Sequence, residues 1–365
     1  MTLNRVSDVL ARLDLSILSE VNPLDLQVGP VRMRLRCNEP LRAVLAAYFE
    51  HITIENSDTD LEICVLSGQS LDPAPNWIDW AREPGKTGLK DAIFDLADGR
   101  LVFKRRTGVT FLQSNETLIA FGPVEDNANQ IINFVNNQIL NTCLRANWQI
   151  CHAAAVTNGE HTLAIAGLSG GGKSTSILRM MDIPGTSFVT NDRLMICAQN
   201  PLPHALGLPK HPRINPGTIL HNPRLHGMLS PERLAQIAAM PVEELWNFEE
   251  KYDLVVPQIY GAGRLQLSTT LTEFWVLNWQ RNSAQPTTIS DVSIANRPDL
   301  LGAIMKSPGP FYAGPTGQFE TDCTPLNPDA YIQALQNVRI REVAGRIDFD
   351  ALMNEGYRLL GSDKV

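Results

Sequence analysis

Long apolar runs are missing from this chain. No stretch approaches the roughly 18 consecutive apolar residues that a membrane-spanning helix needs, and the start lacks a basic segment followed by an apolar block. The expectation is a soluble, cytoplasmic protein with no membrane partner. Cysteine is also scarce: Cys37, Cys64, Cys143, Cys151, Cys197 and Cys323 are scattered, with no C-x-x-C pair and no zinc spacing, so reduced and mostly buried thiols are expected. Basic runs are short. With a net charge of -8 and Lys104-Arg105-Arg106 as the one compact cluster, an extended nucleic-acid surface is disfavoured. That cluster reads as a charged edge strand, which discourages unwanted pairing, in preference to a polyanion site. Internal repeats and low-complexity tracts are absent. His204, His211, His221 and His226 fall close together, yet their spacings match no zinc motif and no cysteine accompanies them closely, so a metal role for them is set aside.

What is present describes an ordinary globular protein, 44% hydrophobic and 19% charged, whose 365 residues exceed one comfortable core. Val6, Val9, Leu10, Leu13 and Ile17 form an apolar helical stripe expected to pack on its own domain. From Leu24 to about Gly122 strand-like pieces dominate: Val31 to Arg36, Leu61 to Leu66, Leu101 to Gln113 and Thr117 to Phe121. One helical run, Leu41 to Phe49, interrupts them. After Gly122-Pro123 a helix is predicted from about Glu125 to Trp148, with Ile131, Ile132, Val135, Ile139 and Cys143 on one side, and the domain boundary is placed near it. Further on, Phe188 to Thr190, Leu194 to Cys197 and Leu271 to Trp279 read as strands. Pro201 to Pro223 reads as a long functional loop, while Asp329 to Val338 and Phe349 to Leu360 read as helices. Trp275 and Trp279 are assigned to core packing.

One segment carries specific chemistry. Gly167-Leu168-Ser169-Gly170-Gly171-Gly172-Lys173-Ser174 fits the phosphate-loop pattern G-x-x-x-x-G-K-S/T at every fixed position. Thr162 to Ala166 reads as a buried strand before it, and Thr175 to Met181 as a helix after it, with Ile177, Leu178 and Met181 on one face. Glycines let backbone N–H groups turn toward phosphate oxygens where a Cβ would obstruct them. Gly167, Ser169, Gly170, Gly171, Gly172, Lys173, Ser174 and Thr175 are therefore the expected nucleotide-holding residues. Lys173 would reach the β and γ phosphates, Ser174 would hold Mg²⁺, and the helix N-terminus would add partial positive charge.

Beyond the loop, three segments occur in a family's order. In Cys151-His152-Ala153-Ala154-Ala155-Val156, His152 precedes Lys173 by 21 residues; Phe188-Val189-Thr190-Asn191-Asp192-Arg193-Leu194 follows the helix; Glu249-Glu250-Lys251-Tyr252-Asp253 leads to Tyr260-Gly261-Ala262-Gly263-Arg264. With these the chain resembles the HPr kinase-related proteins, which share a phosphate-loop variant with bacterial HPr serine kinase/phosphorylase and, more distantly, with phosphoenolpyruvate carboxykinase. Lys210-His211-Pro212-Arg213-Ile214-Asn215-Pro216-Gly217-Thr218 resembles the subgroup called HprK-related kinase B.

The resemblance implies an α/β fold: an HPr kinase-like core with a mixed sheet over 125–300, preceded by an α+β domain (1–124) suited to substrate or partner recognition, and followed by a helical extension (301–365). It implies transfer of the γ-phosphoryl group of ATP, with Mg²⁺, to a hydroxyl of a small molecule, peptide or protein. His152, Lys173, Asp192 and Arg264 become the expected catalytic residues, Ser174 and Asp192 the metal ligands, and a homo-oligomer is suggested. Lys210, Arg213 and Arg224 are either acceptor-pocket cations or solvated loop residues. Two departures matter. Asn191 stands where HPr kinases have an Asp proposed as the base, and an amide cannot do that work. The family's downstream metal-binding Glu also has no match between Gly207 and Thr218. The alternatives are an ATP-hydrolysing switch, which Asn191 favours, or a degenerate nucleotide-binding module.

Overall fold

The computed structural model describes residues 3–361 apart from 56–57, 82–87, 168–170, 249 and 323. The chain forms two compact units, Met1–Asn147 with Ser307–Pro325, and Trp148–Lys306 with Leu326–Val365. The division falls at the far end of the helix at which the sequence placed its boundary, and a short segment after residue 306 returns to the first unit.

The first unit is built on a nine-stranded sheet: β1 (Leu24–Val28), β2 (Val31–Arg36), β3 (Thr53–Ile54), β4 (Leu61–Ser67), β5 (Ile78–Asp79), β6 (Asp91–Leu96), β7 (Gly99–Lys104), β8 (Thr110–Gln113) and β9 (Leu118–Gly122), in the order β3-β1-β2-β4-β9-β8-β7-β6-β5. Among the described residues of this sheet only the β2–β4 and β4–β9 pairings are parallel. Helices α1 (Val6–Leu10), α2 (Glu39–Tyr48) and α3 (Ala128–Arg145) complete it. The apolar stripe near the start is shorter than its periodicity suggests, because the α-helix stops at Leu10. Val6, Val9 and Leu13 nevertheless pack with Leu101, Leu112 and Ile119 in this unit's own core. The basic cluster is not an edge strand: β7 lies inside the sheet between β6 and β8. Lys104 is buried there and donates to Asp91 at 2.7 Å, which removes the cost of an unpaired interior charge. Arg100 holds the returning segment, donating to the carbonyls of Pro310 at 3.2 Å and Glu320 at 2.9 Å. Burial pushes the Cys37 and Cys64 thiols up to about 11, so both stay protonated.

In the second unit a six-stranded mixed sheet contains β11 (Ala153–Thr157), β12 (Thr162–Gly167), β13 (Ser187–Thr190), β19 (Glu273–Leu277), β20 (Thr288–Asp291) and β21 (Arg339–Ala344), ordered β13-β11-β12-β19-β21-β20. A second sheet pairs β10 (Gln149–Cys151), β14 (Leu194–Cys197), β15 (His204–Gly207) and β18 (Ser268–Thr270), and β16 (Arg213–Ile214) pairs with β17 (Tyr252–Asp253). The helices are α4 (Lys173–Met180), α5 (Pro216–Leu220), α6 (Pro231–Ala238), α7 (Val242–Asn247), α8 (Val256–Tyr260), α9 (Pro298–Ile304), α10 (Pro328–Leu335) and α11 (Phe349–Leu360).

Strand alternation assigns the two faces of the large sheet. Leu163, Ile165, Trp275 and Leu277 point to one face and pack with Ile177 and Leu178 of α4 and Leu352 and Leu360 of α11. Ala164, Ala166, Phe274 and Val276 point to the other, where α9, α10 and the second sheet lie. The alanines on that face leave room for Leu194, Ile196 and Ala205 of the second sheet.

Two expectations change. The proline-rich segment 201–223 is no structureless loop, since it contains β15, β16 and α5. Nor is the end of the chain only helical, because β21 lies inside the large sheet, paired in parallel to β19. Its alternation is obscured by Arg341, which is drawn inside by carboxylates, at 3.3 Å from Glu273 and 2.6 Å from Glu355. Among the described residues no helix is long and apolar enough to cross a membrane.

Candidate functional site

Strand register decides which residues meet. β12 runs antiparallel to β11, with Ala166 opposite Ala153, so His152 lies at the end of β12 from which the glycine-rich loop departs. β13 runs antiparallel to β11 as well, with Thr190 opposite Ala155, and the chain continues through Asn191 and Asp192 toward the same edge. There His152 Nε2 stands 3.5 Å from Asp192 Oδ1. Parallel pairing of β19 with β12 and of β21 with β19 brings the segments after Leu277 and Ala344 to this edge too.

The loop's glycines differ in what they permit. A Cβ on Gly167 would lie 2.9 Å from Leu277 Cβ, so the close approach of two parallel strands excludes any side chain. Residues 168–170, including the expected contacts Ser169 and Gly170, lie outside the described residues. Gly171 O accepts a hydrogen bond from Trp279 Nε1 at 2.9 Å. Gly172 begins α4 with φ +92°, the left-handed region where glycine carries no Cβ penalty. Lys173, the first residue of α4, folds back so that Nζ donates to Gly167 O at 2.8 Å. Ser174 is half-buried in the first turn, and Thr175 is buried with its hydroxyl 3.0 Å from that of Thr218 on α5. Ser176 Oγ donates to Gly172 O at 3.0 Å.

Electrostatics single out Asp192. Desolvation opposes its ionisation, but the hydrogen bond from His152 and the charges of Arg193, His152 and Lys210 outweigh it, holding the carboxyl well below the usual carboxylate range. Its side chain is nonetheless 61% exposed, so solvent screens these interactions and leaves an ionised face open. Arg193 stays at 3.9 Å, and its carbonyl accepts from Thr190 Oγ1 at 2.9 Å, which closes the turn between β13 and β14. Asn191 Oδ1 is buried with no hydrogen-bond partner among the described residues.

Not every expected residue comes to this edge. Arg264 donates through Nη2 to Met181 O at 2.7 Å and through Nε to Thr186 O. Those carbonyls sit at the C-terminal end of α4 and just before β13, the end of the helix away from the loop. Arg224 and Arg213 are paired at the surface with Asp182 and Asp253, whereas Lys210 acts on Asp192. The four histidines disperse: His204 Nε2 lies 3.0 Å from Ser268 Oγ, His226 Nε2 lies 3.1 Å from Leu220 O, His211 is buried, and His221 stacks on Phe349. No cluster of three or more potential metal-ligating residues occurs among the described residues.

Three residues escaped the sequence reading: Trp279, Phe349 and Thr218. Trp279 had been assigned to core packing, and indeed is only 8% exposed, but its indole N–H binds the loop. Phe349 falls at the start of a helix the sequence did indicate, with no motif to mark its ring.

No protein-family model matches the chain, and no curated protein matches it. Among solved structures, the Hpr(Ser) kinase/phosphatase from Coxiella burnetii is similar at 12% identity and a TM-score of 0.29, over 58% of this chain and 97% of that one.

Proposed function

We propose that the chain is an ATP- and Mg²⁺-dependent phosphotransferase whose acceptor group is a hydroxyl. The observation that carries this reading is a lysine at the first position of α4, above a glycine start that no side chain caps among the described residues. A cation and uncapped amides at a helix N-terminus repel one another and are stabilised together by an anion. The loop pattern makes that anion a nucleotide's phosphates.

Ser174 and Asp192 would hold the metal. The donor set suits Mg²⁺, which takes a hydroxyl, one ionised carboxylate and phosphate oxygens and needs no all-protein cage. When bound, that ion would neutralise charge on the phosphates. Lys173 would bind and orient the phosphates. Proton transfer from the acceptor, a task closed to the Asn191 amide, would fall to Asp192 or His152, or the transfer would proceed with positioning alone. A loose phosphoryl transfer rests mainly on positioning and electrostatics. Arg264 is left out of the chemistry, since its guanidinium is engaged by carbonyls at the far end of α4.

The test is transfer of γ-labelled phosphate from Mg-ATP into fractionated extract of the native host, comparing the intact protein with Lys173→Ala. Label entering one fraction only with the intact protein is the expected result. Asn191 favours a second reading, an ATP-hydrolysing switch. Label released solely as inorganic phosphate, stimulated by a partner, would replace the kinase with it. ATP binding with no turnover would leave a degenerate nucleotide-binding module.

A further inference from the structure

We infer that Trp279 and Phe349 are positioning residues for the phosphate-binding loop, setting nucleotide affinity through the backbone of Gly171 and Gly172; this rests on the nucleotide reading above. Both residues come from outside the loop motif. Trp279 follows β19, and its indole N–H donates to Gly171 O at 2.9 Å. Phe349 opens α11, and a Cβ added to Gly172 would lie 2.9 Å from its Cε1, 3.0 Å from its Cζ and 3.3 Å from Trp279 Cζ2. The two rings meet edge to face, with centroids 5.2 Å apart and planes at 83°. The left-handed glycine is thus enclosed by two rings that allow its backbone and nothing larger.

Phe349 is in turn held by its helix. Asp348 caps α11 by accepting from the amides of Asp350 at 3.1 Å and Ala351 at 2.9 Å. Asp350 accepts from Arg179 of α4 at 2.5 Å, and Gly356 lets α11 approach Met180, where an added Cβ would come within 3.1 Å. The consequence for binding is entropic. A glycine-rich segment loses more freedom on ordering than any other, and a ligand that must order it binds more weakly. Fixing Gly171 by a hydrogen bond and Gly172 by two rings lowers that cost before the nucleotide arrives. Loss of the indole N–H also leaves a carbonyl of the loop without its donor.

The test measures Mg-ATP binding by calorimetry for the intact protein, Trp279→Phe, Phe349→Leu and Lys173→Ala, with thermal unfolding of each. Trp279→Phe keeps a ring and removes the donor. It is expected to bind about tenfold more weakly with its unfolding temperature nearly unchanged, and Phe349→Leu is expected to weaken binding similarly. Affinity equal to that of the intact protein in both variants, while Lys173→Ala binds about a hundredfold more weakly, would overturn the inference and leave the nucleotide reading standing. Binding that is absent from the intact protein, or untouched by Lys173→Ala, would overturn both. A measurement on the unsubstituted chain guards against misfolded variants: in protein labelled with 5-fluorotryptophan, the Trp279 fluorine resonance, assigned by its loss in Trp279→Phe, is expected to shift when Mg-ATP is added. A stationary resonance at saturating Mg-ATP would also overturn the inference.

Discussion

At the C-terminal end of α4 the guanidinium of Arg264 donates to the carbonyls of Met181 and Thr186, whereas at the N-terminal end the ammonium of Lys173 folds back onto the carbonyl of Gly167. The first arrangement is what helix electrostatics favour: exposed carbonyls carry partial negative charge, and a cation satisfies them. The second runs against the helix's own field, because the amide end is already positive. Each cation has a carbonyl partner, but only one sits where the helix itself would place a positive charge. On the proposed reading Lys173 serves the phosphates and Arg264 the fold, although the sequence had put both in one catalytic set.

The sharpest way to break this comparison is Lys173→Ala. Mg-ATP affinity should fall about a hundredfold as a charge-assisted phosphate contact disappears, with thermal stability retained or slightly raised; calorimetry and a melting curve decide it, and an unchanged affinity would return Lys173 to a structural role. Arg264→Ala should do the reverse. Two carbonyls lose a charged donor, stability falls by about 2–3 kcal/mol, and Mg-ATP affinity stays within about twofold. A large affinity loss with intact stability would restore Arg264 to the catalytic group.

Gly172→Ala sharpens the N-terminal side, since a Cβ at φ +92° is strained and meets the Phe349 ring. About 1–2 kcal/mol of destabilisation is expected, read from the denaturation midpoint, together with weaker Mg-ATP binding. Asp192→Asn should reduce the enhancement of nucleotide binding by Mg²⁺ about tenfold while leaving metal-free binding in chelator unchanged. Because the Asp192 carboxyl is held below the usual range, it stays ionised down to about pH 5, so the difference between intact protein and Asp192→Asn should persist from neutrality to that point.

The smallest effect concerns His211, where burial pulls the imidazole below its ordinary value more than Asp253 raises it. The unfolded chain then binds the proton more readily than the folded one. Stability should decline as pH drops below about 6.5, and His211→Gln should blunt that decline in denaturation curves taken between pH 7 and 5.

Much of the second unit was legible because its signals are local. Thr162 to Ala166 read as a buried strand and Thr175 to Met181 as a helix, and β12 and α4 lie where those readings put them. α3 and α11 followed from periodicity in the same way. Lys104 was misplaced because a charged residue reads as exposed until its partner is found, and Asp91 lies on the neighbouring strand. β21 was hidden for a similar reason, its Arg341 drawn inside by Glu273 and Glu355.

The sequence by itself determined β12, α4 and the glycine that starts that helix, since backbone freedom at glycine and helical periodicity are properties of adjacent residues. Only the tertiary structure decided what surrounds the glycine-rich loop. Antiparallel register set His152 beside Asp192, parallel pairing delivered Trp279 to the loop, and β21 with α11 delivered Phe349. The same packing carried Arg264 to the other end of α4. These juxtapositions depend on strand order and register, which arise from burial across the whole unit and leave no mark at the positions they join.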